Sequence, residues 1–245
     1  MRGVSHRIIL MRIINVNSAT ELSSQTEALF HSLLQKKQSA IRGFLPAGKS
    51  AEGFYQALIT DQKRWTQQIQ FLQIDEFQGV DNFFLKTLQS QILEPLELLP
   101  QAEIIQASWT EKEFQAHIKK VLLHSIDFAL LGLGPNGHIG FHEPSSENKS
   151  FDQKTDPFAQ SSGADYLGGL TMLTEESFRR VKKAPSKMAF TFGAGSFLKA
   201  KEIILLVTGE GKNEIYQKFL ATEPTGTLPA TLLKSHPNFT VISSI

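Results

Sequence analysis

Short apolar runs recur along this chain at residues 13–16, 40–45, 69–74, 126–131, 188–192, 203–207 and 239–242, with a briefer one centred on 104–105. Between most of them lie stretches whose apolar residues repeat at helical spacing. The stretch 20–38 carries Leu22, Leu29, Leu33 and Leu34, behind Asn17, Ser18 and Thr20 as candidate caps. Residues 51–59, 82–93, 110–124 and 211–221 read as further helices. Strands joined through helices need crossover connections, and crossovers give parallel pairing. The predicted fold is α/β: a three-layer, mostly parallel open sheet with helices on both faces, Rossmann-like.

At 245 residues the chain is long enough for one large core. We expect a single domain over 11–245, preceded by an extension over 1–10 that lacks the apolar core and cleavage site of a signal peptide. Met11-Arg12-Ile13-Ile14 looks like a second possible start. A net charge of +1 gives no electrostatic case for nucleic acid or an anionic membrane as partner. No apolar run is long enough to span a bilayer. The absence of cysteine excludes disulfides, thiolate catalysis and cysteine-zinc sites. The expected location is the cytoplasm. Residues 145–187 are polar and the least periodic, so a lid or binding loop is expected within them.

The densest chemistry follows the run 126–131. Gly132, Gly134, Gly137 and Gly140 alternate with Asn136, His138, His142 and Glu143 in one loop. Past the carboxyl end of a parallel strand, such a loop is where α/β sheets bind ligands. His138 suits proton transfer near neutrality, Glu143 orients it or titrates beside it, and Asn136 offers an amide. The plainer alternative is a glycine turn whose histidine satisfies a carbonyl. His142 reads as lining the pocket. Asp75 ends the run 69–74 on the same rim, so it is a candidate general base; a helix cap or ion pair is the alternative. Glu76 is adjacent and points elsewhere.

Pro46-Ala47-Gly48-Lys49-Ser50 leads from a strand into a helix, a geometry that binds phosphate through free N–H groups. Residues 43–50 also fit the nucleotide P-loop pattern G-x-x-x-x-G-K-[ST], with 71–76 as a possible magnesium strand. That reading ranks second, because Phe44 and Leu45 more naturally finish the strand than wrap a triphosphate. Lys212 opens a further helix after Gly209 and Gly211, as an anion ligand or a surface lysine. His236, between turn formers, reads as structural.

In this order the motifs resemble the glucosamine-6-phosphate deaminase (isomerase) family, which shares its fold with 6-phosphogluconolactonases. The resemblance runs from about Met11 to Ile242. Ile74-Asp75-Glu76-Phe77 and Gly134 to Pro144 carry it, and the Phe-x-Glu-Pro ending favours the deaminase branch over the lactonases. The tail from Leu205 through Lys212 to His236 looks especially like the galactosamine-6-phosphate members. The resemblance implies that Asp75 moves a proton between C2 and C1, that His138 opens the pyranose ring, and that Glu143 and Asn136 tune the histidine. It implies that Gly48, Lys49, Ser50 and Lys212 hold the 6-phosphate of a small sugar phosphate, with no cofactor and no metal. Members carry a phosphate-gripping Arg after an Asn-Ser pair; Arg179 is the nearest expectation here.

Departures from the family pattern sharpen the expectations. Asn136 stands where many members have Asp, and an amide does not raise the basicity of His138 as a carboxylate would. His142 replaces a usual Asn. Ala47 and Lys49 replace the usual residues of the phosphate loop, and Lys49 either strengthens phosphate binding or marks a different anion. Without the long C-terminal extension of allosteric hexamers, a non-allosteric monomer or homodimer is expected. The competing functions are a sugar-phosphate lactonase of the 6-phosphogluconolactonase type, a P-loop nucleotide-binding protein, and a non-catalytic sugar-phosphate sensor.

Overall fold

The computed structural model has the strands β1 (Arg12–Asn15), β2 (Ile41–Leu45), β3 (Ile69–Gln73), β4 (Asp75–Phe77), β5 (Ile126–Gly132), β6 (Gly168–Met172), β7 (Met188–Phe192), β8 (Ala200–Val207) and β9 (Phe239–Ser243). Six of them form one parallel sheet in the order β1-β9-β8-β5-β2-β3. The structure describes residues 11–37, 40–60, 69–79, 81–98, 102–145, 164–181 and 183–245. The expected extension, 1–10, and residues 146–163 of the expected lid lie outside the described residues.

The sheet is buried on both faces, so its central strands are buried along almost their whole length rather than alternating, with Arg42 and Asp127 the charged residues within them. On one face Phe71, Phe128 and Leu130 pack with Phe30 of α1 (Ala19–Lys36) and with Phe54, Tyr55 and Leu58 of α2 (Glu52–Thr60). On the other, Phe44, Leu72, Ala129 and Leu131 pack with Phe114 and Ile118 of α4 (Glu111–Leu122) and with Phe190, Phe192 and Phe197. The capping box of α4, Thr110 with Glu113, is the pattern that fixes its start.

The sheet order places the carboxyl ends of β2 and β5 at a topological switch point. From β2 the chain moves outward to β3; from β5 it moves the other way, to β8 and β9. The loops after β2 and β5 therefore diverge and leave a crevice, which is where such sheets bind ligands.

Two expectations need correction. The strand expected over 69–74 forms, but Asp75 does not continue it. β3 ends at Gln73, and Asp75 opens β4, which turns away to pair antiparallel with β7 in a small second sheet, β4-β7-β6. Residues 104–105 form no strand; a single bridge joins Leu72 to Glu103. Within the weakly periodic region 145–187, the described part holds α5 (Ala164–Leu167), β6 and α6 (Glu175–Arg180). These elements are too short for a period to show. Helix α3 (Phe83–Leu88) runs into a wider turn over Gln89–Leu93, and α7 (Ala194–Phe197) and α8 (Asn213–Ala221) complete the layers. Among the described residues no helix is long and apolar enough to cross a membrane.

Candidate active site

The loops after β2 and β5 touch at the switch point. A Cβ on Gly132, the last residue of β5, would lie 2.4 Å from the Ser50 hydroxyl oxygen, so glycine there lets Ser50 sit against the strand end. Gly48 precedes a tight 3-10 turn, Lys49–Ala51, that leads directly into α2. Tyr55, fully buried on α2, donates its hydroxyl to the Pro46 carbonyl at 2.6 Å and pins the loop from below. Beside the turn lies a cavity of about 450 Å³ lined by Thr20, Ser23, Lys49, Ser50, Thr208 and Gly209, among others. This geometry does not fit the nucleotide P-loop. Gly43, Phe44 and Leu45 are strand residues paired with β3 and β5, and a Cβ on Gly43 would strike the Phe128 carbonyl at 2.5 Å. Only Pro46 and Ala47 remain between strand and Gly48, too few to wrap a triphosphate.

The rim loop after β5 folds back on itself. The Gly134 N–H donates to the His138 carbonyl at 2.8 Å, and a Cβ on Gly134 would collide with the His138 ring at 2.3 Å. Asn136 is held by partners that act in one direction only. Its Oδ1 accepts the backbone N–H of His138 at 3.1 Å, and its Nδ2 donates to Glu143 Oε2 at 2.8 Å. With the amide so oriented, Oδ1 also faces His138 Nδ1 at 2.8 Å, which must then carry the proton. Nε2 is left as the basic nitrogen. Glu143 Oε1 is buried without a hydrogen-bond partner and lies 3.9 Å from His138 Nδ1. Burial, Lys212 and Arg180 outweigh Glu176 and hold the His138 imidazole down at about 4, so it is neutral near pH 7.

Asp75 reaches the same place from the other sheet. Its Oδ2 lies 3.3 Å from where a Cβ on Gly140 would be, and Gly140 has φ of +58°, so this close approach suits glycine alone. Burial, and then the charge of Glu76, push the Asp75 carboxyl up to about 8. Glu76 itself faces away, as expected. It accepts N–H groups from Phe77, Phe84 and Leu85 and thereby caps α3.

The cationic side of the site differs from the sequence expectation. Lys212 donates its ammonium to the Leu133 carbonyl and is lowered to about 8 by burial and by Arg180. Arg180 is 58% exposed and pairs with Glu176 at 3.2 Å, and its charge lowers both Lys212 and His138. Arg179 does not join this group: its side chain is 79% exposed and pairs with Glu175 at 3.7 Å. One residue along a helix rotates the side chain by about 100°, which is why the two neighbours diverge. His142 accepts the Ala194 N–H at 2.9 Å through Nδ1 and lines a second cavity, of about 330 Å³, with Glu143 and Thr191. His236 is structural: it bonds the Ala200 carbonyl and accepts the Asn238 N–H.

No family model matches the chain. Curated relatives do. It is 29% identical over 244 residues to the glucosamine-6-phosphate deaminase of Shouchella clausii, covering 95% of this chain and 94% of the relative. The glucosamine-6-phosphate deaminase of Lysinibacillus sphaericus is also 29% identical, over 95% of this chain and 98% of its own. The chain is a homologue of the glucosamine-6-phosphate deaminases. A solved structure described as a monomeric glucosamine-6-phosphate deaminase superposes with a TM-score of 0.79 at 25% identity, over 95% of this chain and 97% of that one. The 6-phosphogluconolactonase of Thermotoga maritima shares the fold, with a TM-score of 0.71 at 18% identity over 96% and 99% of the two chains.

In this deaminase homologue, sequence reasoning missed Thr174, Ser177, Tyr55 and Arg180. Thr174 caps α6 by accepting the Ser177 N–H, and both hydroxyls turn toward the rim loop. The Thr-x-x-Ser spacing after a short apolar run was the available signal for that cap.

Proposed function

We propose that the chain is an amino-sugar-phosphate deaminase. It converts glucosamine 6-phosphate or galactosamine 6-phosphate, with water, to the ketohexose 6-phosphate and ammonia. The observation that carries this reading is Asp75: a buried carboxyl beside Gly140, on the same rim as a histidine whose free nitrogen is basic. A lactonase has no use for a carbon base there.

His138 Nε2 takes the O1 hydroxyl proton and returns it to O5, which opens the ring. Asp75 then removes the C2 proton and delivers it to C1. A proton of the C2 ammonium passes to O1 as the double bond moves from the C1 aldehyde to the C2–N bond, and water hydrolyses the resulting imine. Gly48, Lys49, Ser50, Lys212 and Arg180 hold the 6-phosphate, so that remote binding positions C1 and C2. The ammonium on C2 of the bound sugar favours the ionised Asp75, which makes it a base when substrate arrives. We read the protein as a cytoplasmic monomer or homodimer.

The test is ammonia release from glucosamine 6-phosphate and from galactosamine 6-phosphate, alongside hydrolysis of 6-phosphogluconolactone. Ammonia from either hexosamine phosphate supports the reading, and the ratio names the sugar. Lactone hydrolysis with no ammonia overturns it.

A further inference from the structure

Asn136 leaves a chemical problem at His138. When Nε2 takes a proton the ring becomes an imidazolium, and an amide neither carries the opposite charge nor accepts a proton. The carboxylate that does both, Glu143, stands 3.9 Å from Nδ1, beyond hydrogen-bond reach.

Two hydroxyls on α6 span that gap. Ser177 Oγ lies 3.2 Å from His138 Nδ1, Thr174 Oγ1 lies 3.1 Å from Ser177 Oγ, and Glu143 Oε2 lies 3.3 Å from Thr174 Oγ1. Ser177 is only 2% exposed, so water does not replace it. The Asn136 amide orientation fixes a proton on Nδ1. That proton lies between Asn136 Oδ1 and Ser177 Oγ, so Ser177 shares it as a second acceptor. The Thr174 hydroxyl donates to Ser177 Oγ and to Glu143 Oε2 and is shared between them, so a continuous hydrogen-bonded path joins the ring to the carboxylate.

We infer that Ser177 and Thr174 are positioning residues that couple His138 to Glu143, a hydroxyl bridge standing in for a carboxylate at position 136. The inference rests on the deaminase reading for its kinetic consequence. During ring opening the imidazolium strengthens its Nδ1–H contact with Ser177 Oγ, and the Thr174 hydroxyl ties Ser177 to Glu143. No proton moves along this path, so none is gained or lost when Nε2 gives its proton to O5. The charged groups facing His138 are Glu143 from the rim loop, Glu176 and Arg180 from α6, and Lys212 from the start of α8. The bridge links the ring to one of them selectively.

The experiment compares wild type with Ser177→Ala, Thr174→Val, Thr174→Ser, Asn136→Asp and the double variant Asn136→Asp/Ser177→Ala. Two quantities are read: kcat and KM for hexosamine 6-phosphate, and the His138 titration midpoint by ring ¹⁵N NMR. One hydrogen bond corresponds to about three- to tenfold. We expect Ser177→Ala and Thr174→Val to lower kcat by that factor with KM nearly unchanged, and to move the His138 midpoint down. Thr174→Ser, which keeps the hydroxyl, should behave as wild type. In the Asn136→Asp background, removal of Ser177 should have no effect, because the carboxylate bonds the ring directly. An equal loss in both backgrounds, or an unmoved midpoint in Ser177→Ala, overturns the inference. Should one variant fail to fold, the other cuts the same bridge at its next link. A wild type that releases no ammonia overturns the deaminase reading, while the NMR midpoints still decide whether the bridge exists.

Discussion

At the scale of single residues, the site divides its work between two groups whose surroundings push them in opposite directions. Asp75 is raised to about 8 and His138 lowered to about 4, mainly by burial in both cases. In the free protein, ionisation of Asp75 should make kcat/KM for hexosamine 6-phosphate climb with pH through about 8. The limb in kcat should lie lower, because bound substrate places an ammonium beside the carboxylate; coincident limbs would show that Asp75 is not the base. Asp75→Asn should lower kcat by at least about 10², while isothermal titration still detects sugar-phosphate binding. On the cationic side, Arg180→Ala should raise KM about tenfold through loss of a charge-assisted contact, and Arg179→Ala should leave it within about twofold. Arg180 was illegible in the sequence because Arg179 and Arg180 are chemically identical neighbours. Each pairs with a glutamate one turn back, and only the angle at which α6 docks brings the charge of Arg180 to bear on Lys212 and His138.

At the scale of elements, glycines and caps place the chemistry. The His138 ring fills the space where a side chain on Gly134 would project. Gly134→Ala should therefore displace the ring and lower kcat by about 10² in steady-state assays, with the fold retained by circular dichroism. Thr110→Ala, which breaks the α4 capping box far from the rim, should cost about 1 kcal/mol in denaturant unfolding and leave kcat unchanged. The long, periodic elements were legible: α1, α4, β2, β5 and β9 lie within a few residues of their expected bounds. The short ones were not. Nothing in Gln73-Ile74-Asp75 announces that the chain leaves one sheet for another, because the apolar run continues through Ile74, which is buried between the two strands. Antiparallel pairing of Asp75 with Thr191, which lies far along the chain, decides it.

At the scale of the whole molecule, buried titrating groups should shape stability against pH. The native protein keeps the Asp75 proton between about 4 and 8, where the unfolded chain has released it, so this group makes stability fall as pH rises through that window. His138 and His117, both near 4 when folded against an ordinary value of 6.5, work the other way, and their stabilisation is lost as pH falls from 6.5 toward 4. Of these groups Asp75 alone titrates between 6.5 and 8. Thermal unfolding should therefore show the melting temperature dropping over that interval in wild type and not in Asp75→Asn; parallel curves would contradict the buried carboxyl. The layered α/β architecture and the residues of the rim loop follow from the order of amino acids alone. Alternating runs leave few ways to bury apolar surface, and hydrogen-bonding groups concentrated after a buried strand have few places to go. Tertiary packing chose which groups face one another across the crevice: Asp75 against Gly140, Lys212 against the Leu133 carbonyl, and the hydroxyls of α6 between His138 and Glu143. Those contacts join segments far apart in the chain, and their geometry is set by how whole elements pack rather than by any local pattern.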